Sequence, residues 1–460
     1  MFPTHIYDRR RQALRSRFDG GMLLFLGNAE SPMNYADNAY PFRQDSSFLY
    51  YFGLDQPELA AVVDLDEGWT AIFGDELAID DIVWMGDLPT ISDRAQRIGV
   101  TDVRPRETLA TVVGRAVGAG REVRYLPPYR AEHAVELSDL LRLAPADVAD
   151  RASLDLVRAV IDQRNVKSDE EVLEIERAVT TSVEMHVAAM RMARPGMREA
   201  DVAAEVERVA LAAGGGISFP VIATVNGQIL HNHFHGNTLA EGDLFLLDAG
   251  AQTAMRYAGD LSSTFPVSPA FSERQRAVYD IQLASYNAAI EMLAPGVVFR
   301  DVHFAACRVI AEGMKDLGLM KGNTDDALAA GAHAMFFPCG LGHMMGLDVH
   351  DMENLGEVWV GWNGEPKSTQ FGLKSLRLGR ELEPGFVLTI EPGIYFVPQL
   401  MDLWRSQGRN AEFLDFDRLD EWRGFGGIRN EEDFLITGDG YRRLGPAKPV
   451  TIDEIETLRS

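Results

Sequence analysis

The segment ARPGMREADVAAEVERVALAAGG (193–215) has the same plan as a later segment, APGVVFRDVHFAACRVIAEGMKDLG (294–318). In both, a long helical pattern ends at a Pro-Gly pair, and a second amphipathic helix follows at once. One Pro-Gly pair after a helix is an ordinary stop signal. Two such pairs, Pro195-Gly196 and Pro295-Gly296, are each followed by strand-like segments that carry acidic residues. This repetition predicts two pseudo-equivalent α+β halves with a site to which both contribute.

The chain before these halves has a different pattern. Short apolar runs alternate with amphipathic helices, which predicts a mixed α/β domain. The predicted strands are MLLFLG (from Met22), FLYYFG (from Phe48), LAAVVDL (from Leu59) and TAIFG (from Thr70), and helices are predicted from Arg106 and from His133. Ser168 and Glu171 form a capping-box pattern that opens a long helix. We therefore predict an N-terminal domain of residues 1–164 and a second domain of residues 165–460.

Composition and charge exclude several classes of protein. Of the 460 residues, 46% are hydrophobic and 25% are charged, which excludes a disordered, collagen-like or coiled-coil chain. The formal charge of −25 repels phosphate backbones and anionic lipid, so we expect neither nucleic acid nor a membrane as a partner. No apolar run is long enough to span a bilayer, and MFPTHIYDRRRQALR at the start has no apolar leader segment. With two cysteines, too few for a disulfide framework, the chain is predicted to be cytoplasmic.

Two aspartates follow one another at the ends of apolar runs. Asp248 ends the run DLFLLDAG (243–250), and Asp260 lies in RYAGDLSSTFP (256–266). An Asp before Gly at a strand end is most often a turn residue. If the two runs pair as adjacent strands, however, both carboxylates can point to one face of the sheet. Two buried carboxylates repel each other, so such a pair predicts a nearby cation.

Three further segments carry residues of the same kind. His343 lies in GLGHMMGLDVHD (340–351), Glu391 inside the apolar strand VLTIEPGIYF (387–396), and Glu431 in GGIRNEEDFLIT (426–437). Four carboxylates and one imidazole suit two hard or borderline divalent ions. Two such ions about 3.5–4 Å apart can hold a bridging hydroxide and polarise a carbonyl, which suits amide hydrolysis. From spacing alone, scattered structural acids are an equally good interpretation.

In this order, the segments DAG…YAGD, GLGHMMGLDVHD, TIEPGIYF and GGIRNEED resemble the metallopeptidase family of prolidase and aminopeptidase P. YPFRQDSSFLYYFG (40–53) is similar to that family's N-terminal domain, and RNVKSDEEVLEIERA (164–178) to its domain junction. The resemblance implies an α/β N-terminal domain and an α+β catalytic domain with pseudo-twofold halves. That catalytic fold is the "pita-bread" fold, shared with methionine aminopeptidase. The resemblance also implies a homodimer whose N-terminal domain helps to close the neighbour's cleft.

The resemblance implies a role for each matching residue. Asp248 would bind one metal ion, Asp260 and Glu431 would bridge, and His343 and Glu391 would hold the other ion. The ions in this family are usually Mn²⁺ and sometimes Co²⁺ or Zn²⁺. The remaining implied roles are substrate contact by His231 and His350, and orientation of the last ligand and contact with the product by Arg429. We separately predict that Glu391, the nearest suitable group, transfers the proton.

One position near these residues departs from the family pattern. The family usually has a His four residues before the ligand His, whereas this chain has Cys339. A thiol cannot donate hydrogen bonds as an imidazole does, so one substrate contact is in doubt. A nucleophilic Cys339 would need a thiolate and a base, and the intact ligand set disfavours it.

Three histidines, His231, His233 and His235, alternate along the chain, so on a strand all three would share a face. They would form either the polar lining of a cleft or an adventitious metal site.

One arginine bears on the substrate. Arg377 precedes Glu391 at a spacing that resembles prolidases, in which an Arg binds the carboxylate of the proline; a surface Arg on a charged loop is the alternative. The stretch from Phe396 to Phe425 is also similar to an insertion of longer prolidases. The sequence therefore favours dinuclear hydrolysis of Xaa-Pro dipeptides over an aminopeptidase P that acts on longer peptides. A non-catalytic peptide-binding homologue and a metal-free creatinase-type hydrolase are disfavoured, because all five ligand positions are intact.

Overall fold

The polypeptide is divided into two units in the computed structural model, which describes residues 1–460. The first unit comprises residues 1–164 and 352–356, and the second comprises residues 165–351 and 357–460. None of the helices combines the length and the apolar character needed to span a membrane.

The first unit is built on one mixed sheet with helices around it. Its elements are α1 (Thr4–Arg15), β1 (Met22–Leu26), α2 (Ser46–Phe52), β2 (Ala60–Asp64), β3 (Thr70–Phe73), α3 (Ile79–Met85), α4 (Ile91–Gln96), β4 (Asp102–Arg104), α5 (Thr108–Gly118), β5 (Val123–Tyr125), α6 (Ala131–Leu141) and α7 (Leu154–Asn165), with short 3-10 helices at Pro145–Asp147 and Glu353–Leu355.

The five strands lie in the order β4-β3-β2-β1-β5. β1 to β3 pair antiparallel, while β4 and β5 join the two edges in parallel. Alternate residues of β1, including Leu24, pack with Leu109 and Val113 of α5 and Leu137 of α6 in one buried cluster. Strands that are covered in this way read as continuous apolar runs, which is why three of the four predicted strands are confirmed.

The fourth predicted strand, FLYYFG, is wrong because this segment forms helix α2. Asp45 Oδ1 accepts a hydrogen bond from Phe48 N at 2.8 Å, which caps the helix, and Gly53 ends it at φ +61°. All seven residues of α2 are buried, and Phe25 of β1 packs against two of its rings, Tyr51 and Phe52. A short run that is apolar on every side has no periodicity to separate a helix from a strand.

The second unit contains long helices and three small sheets. Its elements are α8 (Asp169–Met192), α9 (Glu199–Ala212), β6 (Ile222–Thr224), β7 (Leu244–Ala249), β8 (Leu261–Pro266), α10 (Glu273–Glu291), α11 (Phe299–Asp316), α12 (Thr324–Ala329), α13 (Glu357–Val360), β9 (Val387–Ile390), β10 (Gly393–Tyr395), α14 (Pro398–Gln407), α15 (Phe416–Asp420), β11 (Gly427–Arg429), β12 (Glu432–Ile436), β13 (Tyr441–Arg443) and α16 (Ile452–Arg459), with 3-10 helices at Ala332–Met335 and Leu373–Ser375.

The two Pro-Gly turns are built in the same way. Gly196 N donates a hydrogen bond to Leu239 O at 2.8 Å, and Gly296 N donates one to Leu382 O at 2.9 Å. Both glycines have positive φ, +91° and +84°, a conformation that side chains with a Cβ rarely adopt. Each turn joins a pair of packed helices, α8 with α9 and α10 with α11. The predicted pseudo-equivalence of the two halves therefore extends to individual backbone hydrogen bonds.

Each half contributes one antiparallel three-stranded sheet. The first sheet has the order β6-β7-β8 and the second the order β13-β12-β9, while β10 and β11 form a separate antiparallel pair. An isolated bridge joins Ser262 of β8 to Glu431, the residue before β12. This bridge brings the acidic segments of the two halves together.

Candidate active site

Strand pairing positions four carboxylates at one place in the second unit. Asp248 lies opposite Ser262 in the β7–β8 pair, and Asp260, two residues before Ser262, points to the same face. Glu431 N donates a hydrogen bond to Ser262 O at 3.1 Å. Glu391 comes directly after β9. β9 pairs with β12, which begins directly after Glu431. The expected pairing of the two Asp-bearing runs is thus confirmed.

The sequence had indicated that Glu391 lies inside a strand, but in the structure it lies just beyond one. β9 ends at Ile390, and Glu391 N donates a hydrogen bond to Leu341 O at 2.7 Å. The next residue, Pro392, has no N–H with which to continue a ladder, so the chain leaves the sheet there. The Glu391 side chain is 21% exposed, whereas that of Asp260, the other carboxylate that approaches His343 Nε2, is 6% exposed.

His343 lies at the centre of the carboxylates. Its Nε2 is 3.3 Å from Asp260 Oδ2 and 3.7 Å from Glu391 Oε1. One ligand atom each from His343, Asp260 and Glu431 lies within 4.8 Å of the others. His343 Nδ1 contacts Met344 O at 3.1 Å, which fixes the ring and leaves Nε2 to the cluster.

The cluster fits a divalent cation. Asp248 Oδ1 and Asp260 Oδ1 are buried oxygens without a hydrogen-bond partner, and metal ions are natural partners for such oxygens. Burial, followed by repulsion from Asp248, raises the pKa of Asp260 to about 8. Burial raises the pKa of Glu391 to about 7 and also raises the pKa of Glu431. Without a cation, these acids are held towards their protonated forms, and bound divalent ions would restore the carboxylates.

Arg429 and Ser262 organise the carboxylates. Arg429 Nη2 donates to Asp248 Oδ2 at 2.6 Å, and its Nε donates to Ser262 Oγ at 2.9 Å. Ser262 Oγ in turn donates to Glu431 Oε2 at 2.8 Å. The arginine therefore contacts Asp248 directly and is linked to Glu431, the last predicted ligand, through the serine hydroxyl.

Sequence reasoning missed several residues that support the site. Asp433 Oδ2 accepts a hydrogen bond from Asp260 N at 3.0 Å, and Tyr395 Oη accepts one from Arg429 Nη1 at 2.8 Å. Thr389 Oγ1 accepts one from His343 N at 3.2 Å. Ser262 shares a strand face with Asp260, but its contacts with Arg429 and Glu431 join segments that lie far apart in the chain. Tyr395 and Thr389 were not distinguishable from ordinary core residues of apolar strands.

All nine predicted site residues line one cavity of about 590 Å³. They are His231, Asp248, Asp260, His343, His350, Arg377, Glu391, Arg429 and Glu431. The cavity also has an apolar wall that includes Phe219, Ile222 and Phe371. A cavity that combines an apolar wall with convergent polar groups is typical of a small-molecule or peptide site.

The histidines of the cavity lie on loops. The predicted strand face of His231, His233 and His235 is wrong, because the segment after β6 is a turn followed by an extended loop. His231 and His233 line the cavity, whereas His235 Nε2 contacts Val221 O at 3.1 Å outside it. Partial burial lowers the pKa of His231, although the charge of Asp248 opposes this shift. The His350 ring packs edge-on to the His343 ring with 4.4 Å between centroids.

Cys339 lines the cavity as well, with the chemistry of a thiol. Burial and then the negative charge of Glu391 raise the pKa of Cys339 to about 12. A thiol with this pKa is protonated at neutral pH, whereas nucleophilic cysteines require the thiolate. These surroundings argue against a nucleophilic role for Cys339.

Arg377 reaches the cavity wall from the segment after the 3-10 helix Leu373–Ser375. Its side chain is 32% exposed, and its Nε lies 3.5 Å from Glu357 Oε1. A guanidinium that is partly exposed inside a cavity can exchange this long contact for a charge-assisted pair with an anion.

Comparison with known proteins gives consistent matches over both units. The family model "Metallopeptidase family M24" matches residues 174–438, and "Aminopeptidase P, N-terminal domain" matches residues 7–125. The chain is 31% identical to the human Xaa-Pro dipeptidase, over 99% of this chain and 93% of that protein. It is 30% identical to the Xaa-Pro aminopeptidase of Escherichia coli K12, over 98% of this chain and 97% of that protein.

Solved structures show the same fold. Escherichia coli aminopeptidase P matches with a TM-score of 0.82 at 30% identity, over 99% of this chain and 98% of that chain. Aminopeptidase PepP of Pseudomonas aeruginosa matches with a TM-score of 0.81 at 29% identity, over the same shares. The second unit therefore has the pita-bread fold, the first unit is an aminopeptidase P-type N-terminal domain, and the family implies divalent metal ions. With the matching family model, the full-length relatives and these structures taken together, the chain belongs to metallopeptidase family M24 and is a peptidase of the prolidase and aminopeptidase P type.

Proposed function

We propose that this protein is an Xaa-Pro dipeptidase that uses two divalent metal ions, with Mn²⁺ as the preferred ion and Co²⁺ or Zn²⁺ as substitutes. The observation that carries the proposal is that the Arg377 guanidinium lines the same cavity as the carboxylate cluster. A dipeptide ends in a free proline carboxylate, whereas a longer peptide has an amide bond there. A guanidinium, with its planar fork of donors, is the side chain best suited to bind that carboxylate.

The five proposed ligands divide between the ions. Asp248 would hold one ion, His343 and Glu391 would hold the other, and Asp260 and Glu431 would contribute to both. Bound at this cluster, two divalent ions would supply an activated water and polarise the scissile carbonyl. Arg429 keeps Asp248 in place through the 2.6 Å contact, and Ser262 keeps Glu431 in place.

Three residues have proposed roles in proton transfer and charge stabilisation. Glu391, the most accessible carboxylate next to His343, takes a proton from the attacking water and delivers it to the leaving proline nitrogen. His231 and His350 donate hydrogen bonds to the carbonyl oxygen as negative charge develops on it. Both imidazoles line the cavity and lie outside the helices and strands.

Aminopeptidase P activity is the second candidate. The chain is almost equally identical to a protein named Xaa-Pro dipeptidase, 31%, and to one named Xaa-Pro aminopeptidase, 30%. An aminopeptidase needs no group for a proline carboxylate, and Arg377 would then keep its contact with Glu357. We further propose a cytoplasmic homodimer that acts on small proline-containing peptides and binds neither nucleic acid nor membranes.

A defined substrate set tests the proposal. Protein freed of metal by a chelator is loaded with Mn²⁺ and assayed with Gly-Pro, Ala-Pro and Ala-Pro-Ala. A dipeptidase cleaves the two dipeptides and leaves the tripeptide largely intact. Equal cleavage of Ala-Pro and Ala-Pro-Ala would replace the proposal with aminopeptidase P. Undiminished activity without metal would indicate a creatinase-type hydrolase, and no cleavage of any peptide would favour a non-catalytic binding protein.

A further inference from the structure

A second group of metal-ligating side chains lies in the core of the second unit. His303 and Cys307 are one turn apart on α11, and His333 lies in the 3-10 helix Ala332–Met335. All three residues are completely buried, and none of them lines the cavity of the candidate active site. One ligand atom from each lies within 4.8 Å of the other two, and Cys307 Sγ is 3.4 Å from His303 Nε2.

The two imidazoles of this group lack hydrogen-bond partners for three of their four nitrogens. Neither ring nitrogen of His333 has a partner, and His303 Nδ1 has none. A neutral imidazole always has one donor and one acceptor nitrogen, so no tautomer of His333 removes the problem. Protonation does not remove it either, because burial lowers the pKa of His303 to about 3 and that of His333 to about 4. Buried polar groups are normally paired, and each exception needs a physical explanation.

We propose that His303, Cys307 and His333 form a second metal site, which takes a soft or borderline transition-metal ion such as Zn²⁺. Imidazole nitrogen and thiolate sulfur are the ligands these ions prefer. Ligands at Zn–N and Zn–S bond lengths around a tetrahedral ion lie about 3.5 Å apart. The Cys307–His303 separation of 3.4 Å matches this spacing, and the ion would bind one nitrogen of His333, a ring in which neither nitrogen has a hydrogen-bond partner.

The surroundings indicate a structural role. The Phe337 ring lies 5.4 Å from the His303 ring, and the Phe304 ring lies 6.3 Å from the His333 ring, so the group is enclosed by aromatic side chains. Such a closed site is not open to a substrate, and its ion would fasten α11 to the 3-10 helix. The thiol of Cys307 must lose its proton when the ion binds, so metal uptake weakens as the pH falls.

The chain offers a matched pair of cysteine variants, because Cys307 and Cys339 are its only cysteines. Metal-free protein is loaded with Co²⁺, which serves as a spectroscopic probe for Zn²⁺. Thiolate bound to Co²⁺ gives an intense near-ultraviolet charge-transfer band, which carboxylate and imidazole ligands do not give. Absorption spectra are recorded for the wild type, Cys339→Ser and Cys307→Ser, and the metal content of the untreated proteins is measured by elemental analysis.

We expect the band in the wild type and in Cys339→Ser. Cys307→Ser should lack the band and should contain one metal ion fewer per chain than the wild type. A band that is lost in Cys339→Ser and kept in Cys307→Ser, or no band in any of the proteins, would overturn the proposal. His333→Leu covers the case in which Cys307→Ser does not fold. If the site holds an ion, His333→Leu loses the band and melts at a lower temperature than the Zn²⁺-loaded wild type. If the site holds none, the substitution removes two unpaired nitrogens, and the melting temperature stays the same or rises.

Discussion

Arg429 and Asp248 form a buried ion pair, with 2.6 Å between Nη2 and Oδ2, at the edge of the carboxylate cluster. The guanidinium occupies one oxygen of the aspartate and leaves Oδ1 without a hydrogen-bond partner. It also donates to Ser262, which holds Glu431. Arg429 therefore holds one proposed ligand, Asp248 of the first half, directly. It is linked to another, Glu431 of the second half, through the hydroxyl of Ser262. This arrangement assigns a positioning role to Ser262 that its sequence context does not reveal.

Ser262→Ala should weaken metal binding by about 10- to 100-fold, which is the usual cost of removing a group that orients a ligand. The substitution removes the hydroxyl between Arg429 and Glu431 and leaves all five proposed ligands in place. Ser263→Ala is the matched control, because Ser263 is equally buried but its Oγ contacts His186 Nδ1, at 2.9 Å. Titration of each metal-free protein with Mn²⁺ measures the effect. Equal affinities of the two variants would contradict the positioning role.

Glu431→Gln should abolish peptidase activity and reduce the bound metal, because a shared ligand serves both ions. The amide has the shape of the carboxylate but not its charge. Glu432→Gln is the control, since Glu432 is also buried but contacts the hydroxyl of Tyr286 and does not line the cavity. Elemental analysis and an Ala-Pro assay are run on both variants. Near-normal turnover of Glu431→Gln with its full metal content would exclude this residue from the centre.

The sequence reveals those parts of the molecule in which a local signal and the tertiary structure agree. Both Pro-Gly turns require a glycine at positive φ, so the repeat could be recognised in the sequence. The predicted ligand positions were recognisable because charged residues are rare inside apolar runs. Helix α2 was missed because its apolar residues face the core on every side. The loop after β6 was interpreted as a strand because its alternating histidines have the two-residue period of a β-strand. Ser262 and Tyr395 were missed because their importance depends on contacts with residues far away in the chain.

The stability of the metal-free protein should fall as the pH rises from about 4 to about 8. Asp260 has an ordinary pKa of 3.8 and a folded-state pKa of about 8, so in this window the folded chain keeps a proton that the unfolded chain has released. The unfolded state then binds fewer protons, and the free energy of unfolding decreases with pH. Glu391, with its pKa raised to about 7, acts in the same direction.

Urea unfolding in the presence of a chelator, at several pH values in this window, measures this dependence. Other groups titrate in the same range, so the decisive quantity is the difference between the wild type and Asp260→Asn. The asparagine cannot ionise, and the variant should become more stable relative to the wild type as the pH rises. A difference that does not change with pH would mean that Asp260 is not buried in the folded metal-free protein as described.

His350→Ala should lower kcat by about 100-fold or more while the metal content stays normal. A positioned hydrogen-bond donor that acts on the developing oxyanion is worth about this much. The His350 ring contacts the His343 ring, so the metal content must be measured in the same preparation. A change in KM alone, with kcat unchanged, would assign His350 to substrate binding and not to stabilisation of the transition state.

Arg377→Ala decides between the two proposed activities. If the guanidinium pairs with the proline carboxylate, its removal leaves a desolvated anion without a partner, which typically costs about 2–5 kcal/mol. This corresponds to a fall of roughly 30- to several-thousand-fold in kcat/KM for Ala-Pro. Arg377→Lys should restore only part of the activity, because a point charge cannot replace the two-pronged donor.

The controls for Arg377 use both the substrate and the chain. Ala-Pro amide lacks the carboxylate, so its cleavage should fall far less in Arg377→Ala than that of Ala-Pro. Arg380→Ala removes a nearby guanidinium that pairs with Glu383 at 2.6 Å and does not line the cavity, and it should leave both substrates unaffected. A dipeptidase requires that the loss follow the carboxylate. If Arg377→Ala reduces the cleavage of Ala-Pro, its amide and Ala-Pro-Ala by the same factor, the arginine does not recognise that carboxylate, and aminopeptidase P becomes the better description.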